Sequence, residues 1–91
     1  LGGSEFKLLI YLQHYSNENN YVLLDKQRRV SICGYLGIGG VMLSRLLGSL
    51  VRGNYMCRIS QNSFMVNPYY LYRCPVRDLR SKMDLYLSYT G

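Results

Sequence analysis

The sequence is poor in the groups that do covalent chemistry. Its 91 residues include one histidine, His14, and three cysteines, Cys33, Cys57 and Cys74. No Ser/His/Asp or Cys/His arrangement can be argued from a single imidazole. An odd number of cysteines without a C-x-x-C pair speaks against a disulfide framework and fits a reducing compartment. A tetrahedral zinc site would need a fourth ligand, and His14 alone is available for it. The glycine-rich stretch from Gly34 to Gly40 lacks the Lys-Ser/Thr that completes a phosphate-binding loop. Catalysis, a metal and a cofactor are therefore not expected. No apolar run approaches the roughly 20 residues of a membrane helix. The start has no basic region followed by an apolar one, so no secretion signal is expected. These absences predict a cytoplasmic protein with no membrane partner.

Acidic residues are also scarce. Five Asp and Glu stand against 11 Lys and Arg, for a net charge of +6. Position sharpens this imbalance. Lys26, Arg28, Arg29, Arg45, Arg52, Arg58, Arg73 and Arg77 fall in a span without a single carboxylate. A basic stretch with no acidic counterweight is the footprint of a polyanion binder. Seven of those eight cations are arginine, whose fork suits phosphate better than an ammonium does.

Hydrophobic residues make up 48% of the chain, enough for one core and one domain. Residues 1–5 read as an expression-tag remnant, 6–74 as the domain and 75–91 as a C-terminal helix. The spacing of Phe6, Leu9, Ile10 and Leu12, widened by Leu8 and Tyr11, predicts a mostly buried helix from Phe6 to Tyr15. His14 falls at its end, on the surface. Ser16 to Asn20 is a polar turn, and Tyr21 to Leu24 a short strand. Asp25 is a natural N-cap for a helix from Lys26 to Leu36. Its expected buried side is Val30 and Cys33, with Ile32 and Leu36. Gly37 can end that helix in the left-handed conformation. After a tight connection, Val41 to Val51 carries Leu43, Leu46, Leu47, Leu50 and Val51 at helical spacing. Ser44, Arg45, Gly48, Ser49 and Arg52 lie opposite. Gly53-Asn54 stops it. Tyr55 to Ile59 and Ser63 to Val66 read as strands around a turn at Ser60-Gln61-Asn62, ended by Asn67-Pro68. Cys33 and Cys57 are expected to serve as small core residues. Tyr69, Tyr70 and Tyr72 are expected to pack back onto the core; stacking on single-stranded bases is the alternative. Leu79, Met83, Tyr86 and Leu87 give a last helix from Asp78 to Tyr89.

This order predicts an α+β fold, mainly α: a winged helix-turn-helix with a C-terminal helix. The segments Val22–Asp25, Ile32–Ile38, Leu43–Val51, Tyr55–Ile59 and Phe64–Arg73 resemble the winged-helix domain of RepL-type plasmid and phage replication proteins. The most telling part is Phe64-Met65-Val66-Asn67-Pro68-Tyr69-Tyr70-Leu71-Tyr72-Arg73. The resemblance covers about residues 20 to 74 and implies a double-stranded-DNA-binding module for replication initiation. It implies that the third helix enters the major groove and the wing touches the backbone. Base-facing candidates are then Gly40, Val41, Ser44 and Arg45, with Gly48 and Ser49 towards the backbone; Arg52 is a further DNA-binding candidate. Arg58, Gln61, Asn62 and Ser63 form the wing. Arg28 and Arg29 are placed to meet phosphates. One departure stands out: this helix starts Gly39-Gly40-Val41-Met42, where such helices carry polar residues. Two alternatives therefore stay open: a winged-helix transcriptional regulator, or a module whose third or last helix contacts protein, including a homodimer through the C-terminal helix.

Overall fold

The computed structural model describes residues 2–90, and its architecture follows from where each segment can satisfy its backbone. Helix α1 runs Gly3–His14, with Glu5 in its first turn and His14 in its last, both favourable to the helix dipole. Gly3, Ser4 and Glu5, set apart in the sequence reading, form its opening turn. Its buried stripe is Leu8, Leu9 and Leu12. Phe6 and Ile10, expected inside, are exposed, because the leucines alone face the other helices. A short asparagine-rich turn leads to strand β1, Tyr21–Leu23.

Asp25 caps α2, Lys26–Leu36: its carboxylate accepts the Arg28 amide at 2.8 Å. Gly37 ends the helix at φ 68°, a left-handed conformation that suits glycine. The Gly37 and Ile38 amides both return to the Cys33 carbonyl. The buried side differs from expectation. Ile32 alone is buried, Cys33 and Leu36 are half-buried, and Val30 is exposed. At 3.6 residues per turn Val30 lies about 200° from Ile32, so one stripe excludes the other. Cys33 and Leu36 flank Ile32 and pack on the core, so Val30 is the one expected residue that faces out.

Helix α3, Gly40–Arg52, meets α2 at 95°. It buries Leu43, Leu46, Leu47 and Leu50, as the spacing predicts, with Val51 half-buried. Asn54, at φ 62°, turns the chain into β2, Met56–Arg58, and β3 follows at Ser63–Val66. The sheet is antiparallel with order β1-β3-β2. Tyr21 faces Met65 on one side of β3, and Cys57 faces Met65 on the other.

Alternation divides the sheet. Val22, Met56, Phe64 and Val66 join the leucines of α1 and α3 in the main core. Cys57 and Met65 point the other way and are covered by Tyr86. Tyr86 belongs to α4, Leu79–Thr90, which follows a 3-10 turn at Val76–Asp78. Leu79 and Met83 are half-buried, and Leu87, expected inside, is exposed; Tyr86 is the helix's one buried side chain, with Leu85 packed beside it. The Tyr86 hydroxyl donates to Asn54 Oδ1 at 2.8 Å, and burial pushes its ionisation above the ordinary phenol range.

The tyrosine run departs most from the sequence reading. Tyr69, Tyr70 and Tyr72 are exposed, and only Leu71 between them is half-buried. The reason lies in the backbone. Asn20, buried at φ 63°, donates from Nδ2 to the Val66 carbonyl at 3.0 Å and the Leu71 carbonyl at 2.7 Å. Its Oδ1 accepts the Arg73 amide at 3.1 Å. Asn20→Ala should cost about 2 kcal/mol, because it strands the buried Val66 carbonyl and removes two part-buried hydrogen bonds to Leu71 and Arg73. Asn20→Gly should recover about 1 kcal/mol of that by relieving the left-handed backbone. Urea denaturation of the three proteins measures both differences.

Candidate nucleic-acid interface

Helix α3 is two-faced. Its leucines hold the core, so its other side must meet solvent. Gly40, Val41, Met42, Ser44, Arg45 and Arg52 are all exposed there, Val41 at 75%. Glycine at 48 lets the Arg52 guanidinium lie back against the helix: a Cβ there would come within 3.1 Å of it. Ser49 is not on this face. It is half-buried and its hydroxyl donates to the Glu5 carboxylate, joining α3 to α1.

The start of α3 is bare. Gly39 is extended, at φ −90° and ψ 174°, and offers no side-chain cap, so the first-turn amides point outward without a side-chain acceptor. Neither Gly39 nor Gly40 is required by internal crowding, since a Cβ at either would meet nothing within 4 Å. Neither has a positive φ.

Beside this helix start lies a groove of about 510 Å³. Lys26 and Arg29 of α2, Gly40 of α3 and Asn62 of the hairpin turn line it, together with the apolar Leu24, Val30, Cys33 and Leu43. Lys26 counts in the sequence as part of the basic span and not among the site residues.

The remaining arginines are partly engaged. Arg29 Nε donates to the Leu24 carbonyl at 3.2 Å. Arg28 lies elsewhere, with its guanidinium 4.1 Å from the centre of the Tyr15 ring, beside a separate cavity. Arg58 lies 4.7 Å over the Phe64 ring and donates to the Gln61 carbonyl at 2.7 Å. Gln61 and Asn62 are exposed at the tip, and the Asn62 carbonyl accepts the Leu24 amide at 2.7 Å. The structure thus brings Arg29, Gly40 and Asn62 together and sets Val41, Ser44, Arg45 and Arg52 along the adjoining helix face. Arg28 and Ser49 stand apart from both.

Electrostatics favours an anion at this surface. Among the described residues one ion pair forms, Arg80 with Asp84 at 3.7 Å on α4. Lys26, Arg45 and Arg52 have no carboxylate partner among the described residues. A helix start with free amides adds partial positive charge. Among the described residues no group of three His, Cys, Asp or Glu side chains is placed to hold a metal. No single helix among them is long and apolar enough to cross a membrane. Comparison with family models, with characterised proteins and with solved structures returns no match.

Arg58 has a structural task that can be measured apart from ligand binding. Arg58→Ala should lower stability by about 1 kcal/mol through loss of the ring contact and the turn hydrogen bond. Faster exchange of the Ser63 amide, which closes the turn onto Ser60 at 3.4 Å, should accompany it. Thermal denaturation and hydrogen exchange read the two effects.

Proposed function

We propose that this chain is a double-stranded-DNA-binding winged-helix domain of a replication initiation protein, of the kind its sequence resembles in RepL-type proteins. In this reading α3 enters the major groove and the β2–β3 hairpin is the wing on the backbone. The observation that carries it is the outward face of α3, where Arg45 stands free beside a helix start stripped of side chains. Arginine reads guanine through two parallel hydrogen bonds, so Arg45 is the base-reading residue. Val41 offers an apolar contact to a thymine methyl group. The bare glycines let phosphate approach the first amides of α3. Lys26, Arg29 and Asn62, around the adjoining groove, then flank the same strand. The 95° crossing of α2 and α3, followed at once by a hairpin, supports the helix-turn-helix and wing assignment.

Duplex binding by such a surface depends on salt. Each phosphate neutralised contributes about 0.9 to the slope of log affinity against log salt. Lys26, Arg29 and Arg52 together give a slope of about −2 to −3 in anisotropy titrations on duplex DNA. A flat response would exclude the reading. Arg45→Ala should weaken specific binding by about 1–3 kcal/mol and relax the preference at one base pair.

Gly40→Ala tests why the glycine is there. Nothing inside the protein opposes the added methyl. Stability should stay unchanged or rise by up to about 1 kcal/mol, while duplex affinity falls. Unchanged affinity in this variant would mean that no backbone approach occurs at that point.

A second reading has its own support: Val41 and Met42 on α3 and Leu87 on α4 are apolar and exposed. A protein partner, including a second copy through α4, would cover such residues. Light scattering of the wild type against Leu87→Lys separates the two: a monomer in both cases removes the homodimer through α4.

A further inference from the structure

The segment after β3 presents its tyrosines to solvent instead of burying them. Tyr69, Tyr70 and Tyr72 are 54%, 55% and 42% exposed. On a loose loop such rings would settle onto the nearest apolar surface. This main chain is held fast. Asn67 is buried and its Oδ1 accepts the Tyr69 amide at 3.0 Å. Its own carbonyl accepts the Tyr70 and Leu71 amides at 3.0 and 3.2 Å, and its Nδ2 donates to the Asn54 carbonyl at 2.7 Å. Asn20 holds the far end through the Leu71 carbonyl and the Arg73 amide. Two buried amide side chains therefore fix the backbone on either side of rings that stay outside. Tyr70 is steadied by Tyr55, with ring centres 4.9 Å apart and planes tilted by 43°.

The chain that carries these rings runs on into basic residues. Arg73 and Arg77 follow them, and no carboxylate intervenes before Asp78. Arg73 is oriented by its NH1 donation to the His14 carbonyl at 3.2 Å and is exposed. Rigid aromatic rings beside arginines form the platform on which unpaired bases stack while phosphates meet the cations.

We infer that Tyr69, Tyr70, Tyr72 and Arg73 form a second surface, one that binds single-stranded nucleic acid by base stacking. Duplex DNA does not suit it, because paired bases already cover one another's faces. Stacking on rings is tolerant of sequence. The four residues of β3, spanning roughly 13 Å, separate these tyrosines from the hairpin turn. The platform therefore lies at the opposite end of the strand from the groove beside α3. It stands on geometry independent of the duplex-binding proposal.

The test uses the whole chain and a dye-labelled oligo-dT of about 15 nucleotides, within the site sizes of such binders. Anisotropy should show saturable binding by the wild type. The double variant Tyr69→Ala/Tyr72→Ala should weaken it about tenfold or more, at the scale of losing stacked bases. Its thermal melt should be unchanged, since both rings are exposed. Arg45→Ala should leave oligo-dT binding intact, which keeps the two surfaces distinguishable. Absence of oligo-dT binding by the wild type, or wild-type affinity in the double variant, overturns the inference. A doubled mass in light scattering that the double variant abolishes, with no oligo-dT binding, would instead assign the tyrosines to a dimer contact and overturn it too.

Discussion

One buried asparagine carries constraints that the rest of the molecule relies on. Asn20 sits where β1 begins, where β3 ends and where the tyrosine segment leaves the sheet. Its own carbonyl accepts the Val66 amide at 2.9 Å, and its side chain meets Val66, Leu71 and Arg73. An irregular junction of this kind leaves backbone groups that no ladder can satisfy. A carboxamide, with donors on one atom and an acceptor on the other, matches the mixed set at one site. The left-handed backbone aims the side chain inward, and asparagine tolerates that conformation better than most residues. With this junction satisfied, β1 can lie beside β3 and the sheet gains its third strand.

The third strand in turn gives α3 its position. Two strands alone would offer little apolar surface to a helix layer. Val22 and Phe64, paired across β1 and β3, extend the floor on which the leucines of α1 and α3 pack. Ser49 and Glu5 join α3 to the first turn of α1, so the opening residues of that helix take part in holding it. Packing of Leu43, Leu46, Leu47 and Leu50 leaves the opposite side of α3 no choice but exposure. A rigid helix with a free face is what a groove-reading element requires.

The sequence made much of this legible, and the exceptions share a cause. Asp25 as cap, Gly37 as left-handed stop, the leucine stripe of α3 and the hairpin all depend on neighbours within a few residues, so local chemistry sufficed. The buried side of α2 depends on which helices it meets. Val30 fits the local stripe as well as Ile32 does, and only the packing of α2 on its neighbours turns it out. The tyrosine run was misread for a similar reason. Its exposure is set by Asn20, far away in sequence, whose role nothing in the polar turn around it announces. Ser49 reads as an outward hydroxyl until Glu5, on another helix, claims it.

The basic span looks different once its members are located. Arg28 rests on Tyr15, Arg29 and Arg58 hold backbone carbonyls, and Arg73 is tied to the end of α1. Each of these hydrogen-bonded guanidiniums uses some of its five donors internally and keeps others. They can still meet phosphate, but in a fixed direction and with little freedom to adapt. Fixed direction suits a contact that sets register along a backbone. Base reading demands a planar fork free to enter the groove, on an element narrow enough to follow it. Among the arginines on α3, Arg52 lies back against Gly48 in the last turn, while Arg45 stands clear near the middle of the exposed face. Charge count alone ranks eight residues equally. On the DNA-binding proposal, geometry separates the arginines that would set register from Arg45, the one that would discriminate a sequence.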